Sequence, residues 1–185
     1  MLTDVLIKSP EQRILSLFAM NPDRPFYVRE ISKKLKISLG AAHAALLYLE
    51  KAGILDHERA GKTKLYRLRG PNPIINSFRV LNTLIILEPL IEAIKGISRR
   101  AILFGSYAAG TFTASSDLDL FIVSGEKGKI LARVDAFKRK TGLDIRPIIK
   151  DQLEWMKLDK DNPEFSDELG RGMTLWEKPV DESGI

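Results

Sequence analysis

The chain contains no cysteine, which excludes disulfides and thiolate metal sites and agrees with a cytoplasmic protein. Histidine is scarce, with only His43 and His57, and both read as structural or solvent-facing side chains rather than metal ligands. Long hydrophobic runs are missing too. The most apolar segment, Leu81 to Ile94, is interrupted by Asn82, Glu88, Pro89 and Glu92, so neither a signal peptide nor a membrane span is expected. No Gly-Lys-Ser/Thr sequence follows a strand, which excludes a P-loop. Internal repeats and low-complexity tracts are absent.

What the sequence does have is enough apolar material for a core, 44% of 185 residues, in one large or two small domains. The net charge of +5 is placed unevenly: residues 1–70 hold 13 Lys and Arg against 7 Asp and Glu, whereas residues 71–185 hold 16 against 17. The basic excess therefore belongs to the first part, and it points to an anionic partner there, most simply nucleic acid.

Chemistry concentrates between residues 101 and 123. Ala101–Phe104 is a short apolar run that suits a buried strand. Gly105 and Ser106 break it, and a second apolar run, Leu118–Val123, carries Asp117 and Asp119 at its mouth. Residues two apart on a strand share a face, about 7 Å apart. Two carboxylates so placed repel by roughly 2 kcal/mol at an effective dielectric near 20. A hard divalent cation such as magnesium, which takes oxygen ligands together with substrate phosphates, removes that repulsion. Gly105 permits close backbone approach, and Ser106 supplies a hydroxyl beside N–H groups that could hold phosphate oxygens if a helix starts there.

Gly105-Ser106, ten intervening residues and then Asp117-Leu118-Asp119 resemble the nucleotidyltransferase superfamily of DNA polymerase β, closest to its minimal members. The resemblance implies transfer of a nucleoside monophosphate from a nucleoside triphosphate (NTP) to an acceptor, with two magnesium ions held by three carboxylates. Asp117 and Asp119 would be two of these. Asp144, at the start of the expected strand Leu143–Ile149, would be the third, on the acceptor side. Gly105 and Ser106 would hold the β- and γ-phosphates, and Arg146, two residues beyond Asp144, could reach the triphosphate. One departure stands out: many minimal members carry Arg or Lys where this chain has Ala109, which leaves Arg99, Arg100, Lys127 or Arg146 as substitutes. A cap or turn acid beside Gly142 is the competing reading of Asp144.

The chain before this motif reads as helices and a hairpin. Ser9-Pro10 and Gln12 make a capping box for a helix to about Met20. Phe26-Tyr27 follows as a short strand, then helices Val28–Leu35 and, capped by Ser38, Leu39 to about Ala52. Alternating segments Ile54–Arg59 and Lys64–Arg69 form a basic hairpin that includes Lys62 and Arg67. Residues 8–70 resemble a winged helix-turn-helix domain of the MarR or ArsR kind. That resemblance implies duplex DNA contact by helix Leu39–Ala52, with Ser38 and His43 at its start, and phosphate contact by Lys33, Lys34, Lys36, Arg59, Lys62 and Lys64. The helix face of Leu39, Gly40, His43, Ala44 and Leu47 has no Arg, Asn or Gln to read base edges. An ordinary solvated surface is the competing reading of these charges.

Asn72-Pro73 starts a helix expected to reach about Leu87, with Pro89 restarting a second one. After strand Leu118–Val123, a helix from Lys127 to Lys140, the strand with Asp144, two helical segments and a strand Met173–Glu177 are expected. The fold class is thus α+β: a winged helix-turn-helix domain (1–70), a helical linker (71–97) and a nucleotidyltransferase domain with a small mixed sheet flanked by helices (98–185). The expected function is a magnesium-dependent nucleotidyltransferase with a DNA- or RNA-binding domain. The alternative is a DNA-binding regulator or antitoxin-like protein whose transferase-like domain binds a nucleotide or partner without catalysis. An interaction protein assembled through the winged helix is a third reading. Homodimerisation and a small helical toxin as partner are associations the resemblances allow.

Overall fold

The computed structural model describes residues 5–61, 63–70 and 72–179, and the chain divides into two compact units. Unit 1 comprises the residues up to Ile85 together with Phe112–Ser115; unit 2 comprises Ile86–Thr111 and the residues from Ser116 onward.

Unit 1 opens with α1 (Pro10–Ala19). Its capping box forms as the sequence predicts: the Gln12 amide donates to Ser9 Oγ and the Ser9 amide donates to Gln12 Oε1. There follow β1 (Phe26–Tyr27), α2 (Val28–Leu35), α3 (Leu39–Lys51), β2 (Leu55–Ala60) and β3 (Thr63–Leu68). Apolar residues of α3 recur at helical spacing, so Ala42, Ala45, Leu46 and Leu49 are buried on one side. They share a core with Ile14, Phe18, Phe26, Ile31, Leu55 and Tyr66. Phe18 and Phe26 meet edge to face with centroids 5.3 Å apart. The sheet has the order β1-β3-β2 and is antiparallel throughout. Ala60 pairs with Thr63 at the tip of the hairpin, and Gly61 there takes φ +62°. Three helices with this terminal hairpin are a winged helix-turn-helix.

Next comes α4 (Pro73–Ile94), started by Asn72, whose Oδ1 accepts from the Ile74 amide at 2.9 Å. The sequence predicts a break before Pro89, but the helix runs through it. Pro89 removes one backbone hydrogen bond, at about 3 kcal/mol. Burial of Leu87, Leu90, Ile91 and Ile94 around it, at roughly 1.5–3 kcal/mol each, outweighs that loss. By length and composition alone Pro73–Ile97 is apolar enough to cross a membrane, a test that the core helix of a soluble protein also passes. It nevertheless buries Arg79, Asn82 and Thr83, in the manner of a core helix. Asn82 Nδ2 donates to the Phe78 carbonyl and its Oδ1 accepts from Ser16 Oγ, while Thr83 donates to the Arg79 carbonyl. Arg79 donates to the Phe112 carbonyl and stacks 3.9 Å over the Phe112 ring.

Unit 2 is built on a four-stranded mixed sheet of order β6-β5-β4-β7, with β4 (Arg100–Phe104), β5 (Leu118–Val123), β6 (Ile145–Lys150) and β7 (Met173–Glu177). A short α5 (Gly105–Ala109) follows β4, and α6 (Lys127–Thr141) connects the parallel pair β5 and β6. On one face, Ile102, Phe104, Phe121 and Val123 form a core with Trp155 and Leu158 of α7 (Gln152–Asp161) and Phe165 and Leu169 of α8 (Pro163–Gly170). The alternating Leu118, Leu120 and Ile122 are fully buried towards the other face, and α6 buries Ile130, Val134 and Phe137. The central strands β4 and β5 therefore have two covered faces, and their ends are open for chemistry.

Candidate active site and nucleic-acid interface

One such end carries the carboxylates. Asp117 and Asp119 are half-buried and alternate with the buried Leu118 and Leu120, so both project to the same side of β5. Across the antiparallel pair Asp119 is opposite Phe104, the last residue before Gly105. Gly105 takes φ +66°, and a Cβ built on it would lie 2.8 Å from Asp119 Oδ2. The carboxylate thus fills the space that any other residue's side chain would need, and the left-handed torsion favours glycine independently. Ser106 lies in the first turn of α5, half-buried, with its carbonyl accepting from the Thr111 amide at 2.9 Å.

On the parallel side Asp119 is opposite Arg146, whose Nη1 stands 4.0 Å from Asp117 Oδ2. Burial holds the Asp119 carboxyl above its ordinary range. Arg146 works against this, while the like charges of Asp117 and Glu168 add to it. Glu168, on α8, is a group the sequence gives no reason to single out, because it comes close only through the packing of Phe165 on Phe104 and Phe121.

The third predicted carboxylate is placed differently. Asp144 precedes β6, and its carbonyl accepts from the Leu118 amide at 2.8 Å, so its backbone adjoins the same sheet corner. Its side chain, however, is paired with Lys138 Nζ of α6 at 3.0 Å. Among the described residues no three or more His, Cys, Asp or Glu side chains are grouped to hold one metal ion. The structure thus brings Gly105, Ser106, Asp117, Asp119 and Arg146 together and leaves the Asp144 carboxylate on a lysine. Two half-buried carboxylates, one of them crowded by like charge, are a donor set of hard oxygens that fits magnesium.

Of the cations considered as substitutes at Ala109, Arg146 alone stands at this corner. Arg100 is opposite Val123 and paired with Glu177. Arg99 and Lys127 likewise lie at the far end of β5, four residues or about 13 Å from Asp119.

The second candidate site is the exposed surface of unit 1. Leu39, Gly40, His43, Ala44 and Leu47 of α3 are exposed as the periodicity predicts, and so is Tyr48. Ser38 is spent as the cap, its hydroxyl accepting from the Ala41 amide at 3.1 Å. Lys33, Lys34, Lys36 and Arg59 are exposed and form no ion pair among the described residues. The other wing cations are less available than the sequence suggests. Lys64 lies 3.5 Å from Glu50, Arg67 lies 3.9 Å from Glu58, and Arg69 lies 2.7 Å from Asp56. Lys62 falls outside the described residues. His57 is turned inward, with Nδ1 2.8 Å from Glu50 Oε1.

Unit 2 thus holds a mixed sheet with a Gly-Ser corner facing two carboxylates, and unit 1 holds a winged helix-turn-helix fold. Residues 86–169, which make up most of unit 2, match the nucleotidyltransferase domain family. No curated protein matches the chain. Among solved structures, a candidate nucleotidyltransferase from Sulfolobus solfataricus is similar at 22% identity over 60% of this chain and 91% of its own, with a TM-score of 0.37. Reduced HlyU from Vibrio cholerae is similar at 22% identity over 45% of this chain and 83% of its own, with a TM-score of 0.37. A ZitR variant from Lactococcus lactis is similar at 20% identity over 74% and 77% of the two chains, with a TM-score of 0.39.

Proposed function

We propose that the protein is a magnesium-dependent nucleotidyltransferase that moves a nucleoside monophosphate from an NTP to an acceptor, with residues 1–70 serving as its nucleic-acid-binding domain, 71–97 as the helical linker and 98–185 as the catalytic domain. The observation that supports this reading is the close approach of Asp119 to Gly105, where an added Cβ would lie 2.8 Å from Asp119 Oδ2, so that the Gly-Ser corner adjoins the carboxylate strand. Asp117 and Asp119 would hold magnesium, and Asp144 would join them on the acceptor side on release from Lys138. Magnesium bound there supplies charge neutralisation of the triphosphate and of the attacking and leaving oxygens. The chain's own part is positioning. Gly105, lacking a side chain, lets the Asp119 carboxylate close on the phosphate corner; the Ser106 hydroxyl fixes the β- and γ-phosphates; Arg146 balances phosphate charge in place of the cation missing at Ala109.

The test is calorimetric binding of each NTP with and without magnesium, comparing wild type with an Asp117→Asn/Asp119→Asn double variant. The expected result is magnesium-dependent binding that the double variant loses. A folded wild-type protein that binds none of the four NTPs overturns the reading. It would then favour the alternative, a regulator or antitoxin-like protein whose unit 2 does not catalyse. Ala109 and the Asp144–Lys138 pair are the observations on that side. Cytoplasmic location, homodimerisation and a helical toxin partner belong to either reading as proposals.

A further inference from the structure

The surface of unit 1 holds a feature that duplex reading does not use. A groove of about 890 Å³ opens between the start of α2, the start of α3 and β3. Val28 and the fully buried Tyr66 lie at its floor; Tyr27, Leu39 and His43 form walls that are all exposed. Arg29, Thr63, Lys64 and Glu30 also line it, with Glu30 paired to Arg24 and Lys64 3.5 Å from Glu50. Arg29 is followed one turn later on α2 by Lys33, and Lys36 closes the helix in a left-handed conformation. All three are exposed and make no ion pair among the described residues. The groove therefore joins aromatic and apolar side chains to charged ones whose carboxylate is already paired, and a row of unneutralised positive charge leads away from it.

Those two properties together select among anionic partners. A duplex presents phosphates outside and polar base edges in the groove, and the strongest discrimination there comes from bidentate Arg, Lys, Asn or Gln on the inserted helix. The exposed face of α3 offers Leu39, Gly40, His43, Ala44, Leu47 and Tyr48, with a cation only at its last residue, Lys51. A duplex hides the faces of its bases, which are the parts that tyrosine, histidine and leucine can bind. A single strand exposes them, and proteins hold such strands by stacking bases on aromatic side chains while cations follow the backbone. We infer that unit 1 binds single-stranded nucleic acid, with an unstacked base in the groove against Tyr27 and His43 and the backbone along Arg29, Lys33 and Lys36. This rests on the nucleic-acid-binding reading of unit 1 proposed above, and it makes a single-stranded end the class of acceptor to offer unit 2.

The test uses the full chain without NTP or magnesium, so that unit 2 chemistry does not enter. Fluorescence anisotropy compares labelled oligo(dT), oligo(U) and a mixed-sequence duplex, each of about twelve nucleotides or base pairs, a length within the usual site sizes. Either single strand, or both, should bind at least tenfold more tightly than the duplex at equal salt. Tyr27→Ala should weaken single-strand binding roughly tenfold, the loss of one stacked base, without changing the salt dependence. An Arg29→Ala/Lys33→Ala double variant should lower the slope of log affinity against log salt by about 1.4, at roughly 0.7 per phosphate contact. Because Tyr27 sits in β1, His43→Ala on α3 serves as an independent variant should the first fail to fold. The inference is overturned by a duplex bound as tightly as the single strands. It is equally overturned by His43→Ala and a folded Tyr27→Ala both staying within twofold of wild type, or by a folded protein that binds neither strand at low salt. The Asp117→Asn/Asp119→Asn variant should bind single strands like wild type, which separates failure of this inference from failure of the transferase reading.

Discussion

Replacing Gly105 by alanine separates what the fold needs from what the site needs. The backbone there has φ +66°, and holding an L-residue in the left-handed region costs about 1–2 kcal/mol. Gly142, which ends α6 at φ +72°, carries the same backbone demand but has open space around its missing side chain. Gly142→Ala is therefore the control. The clash at Gly105 is with a carboxylate oxygen, the far end of a side chain, at 2.8 Å; Asp119 restores an ordinary contact of 3.4 Å by retreating about 0.6 Å. That movement adds little to the stability loss, so both variants should melt roughly 2–8 °C below wild type. They should differ in function. A displacement approaching 1 Å at a reacting group is worth up to about 10²-fold, and magnesium-dependent NTP affinity should fall by an order of magnitude or more in Gly105→Ala alone. Thermal melts followed by calorimetry on both variants decide the matter. If Gly105→Ala binds within threefold of wild type, or Gly142→Ala loses as much affinity, the contact with Asp119 does not organise the site.

Three further outcomes are expected. Burial and the charges of Asp117 and Glu168 raise the Asp119 carboxyl, so the native state binds its proton more tightly than the unfolded chain, and stability falls as pH rises from the ordinary carboxylate range through the raised value. In chelator, Asp119→Asn should therefore melt above wild type at pH 7, with the difference vanishing near pH 3; a lower melting point at pH 7 contradicts the crowding described here. On the wing, Arg59→Ala should reduce the salt slope of nucleic-acid binding by about 0.7–0.9. Arg69→Ala should change it less, because Asp56 already holds that guanidinium; equal effects in anisotropy titrations would refute the distinction. In the core of unit 1, Phe18→Ala should destabilise by about 3–5 kcal/mol, seen as a lower denaturant midpoint, since Phe18 is fully buried against Phe26.

Local signals carried most of the architecture. The Ser9 capping box, the Ser38 cap, the helical period of α3 and the apolar run of β5 each lie within a few residues of the chain, and each forms where its pattern places it. The Gly105-Ser106 and Asp117-Leu118-Asp119 elements were legible for the same reason: strand alternation alone puts the two carboxylates on one side. Pro89 misled because its local penalty is visible in the sequence, whereas the burial of Leu87, Leu90 and Ile94 that overcomes it is not. The sequence by itself thus determined the elements, their order, the charge asymmetry and the identity of the carboxylate strand. Tertiary structure alone decided which side chains meet. Register set Asp119 opposite both Phe104 and Arg146, packing brought Glu168 to the carboxylates, α6 drew Asp144 to Lys138, and Glu50, Glu58 and Asp56 took up three wing cations. Those encounters depend on distances between residues far apart in the chain, fixed only when the sheets and helices close on one another.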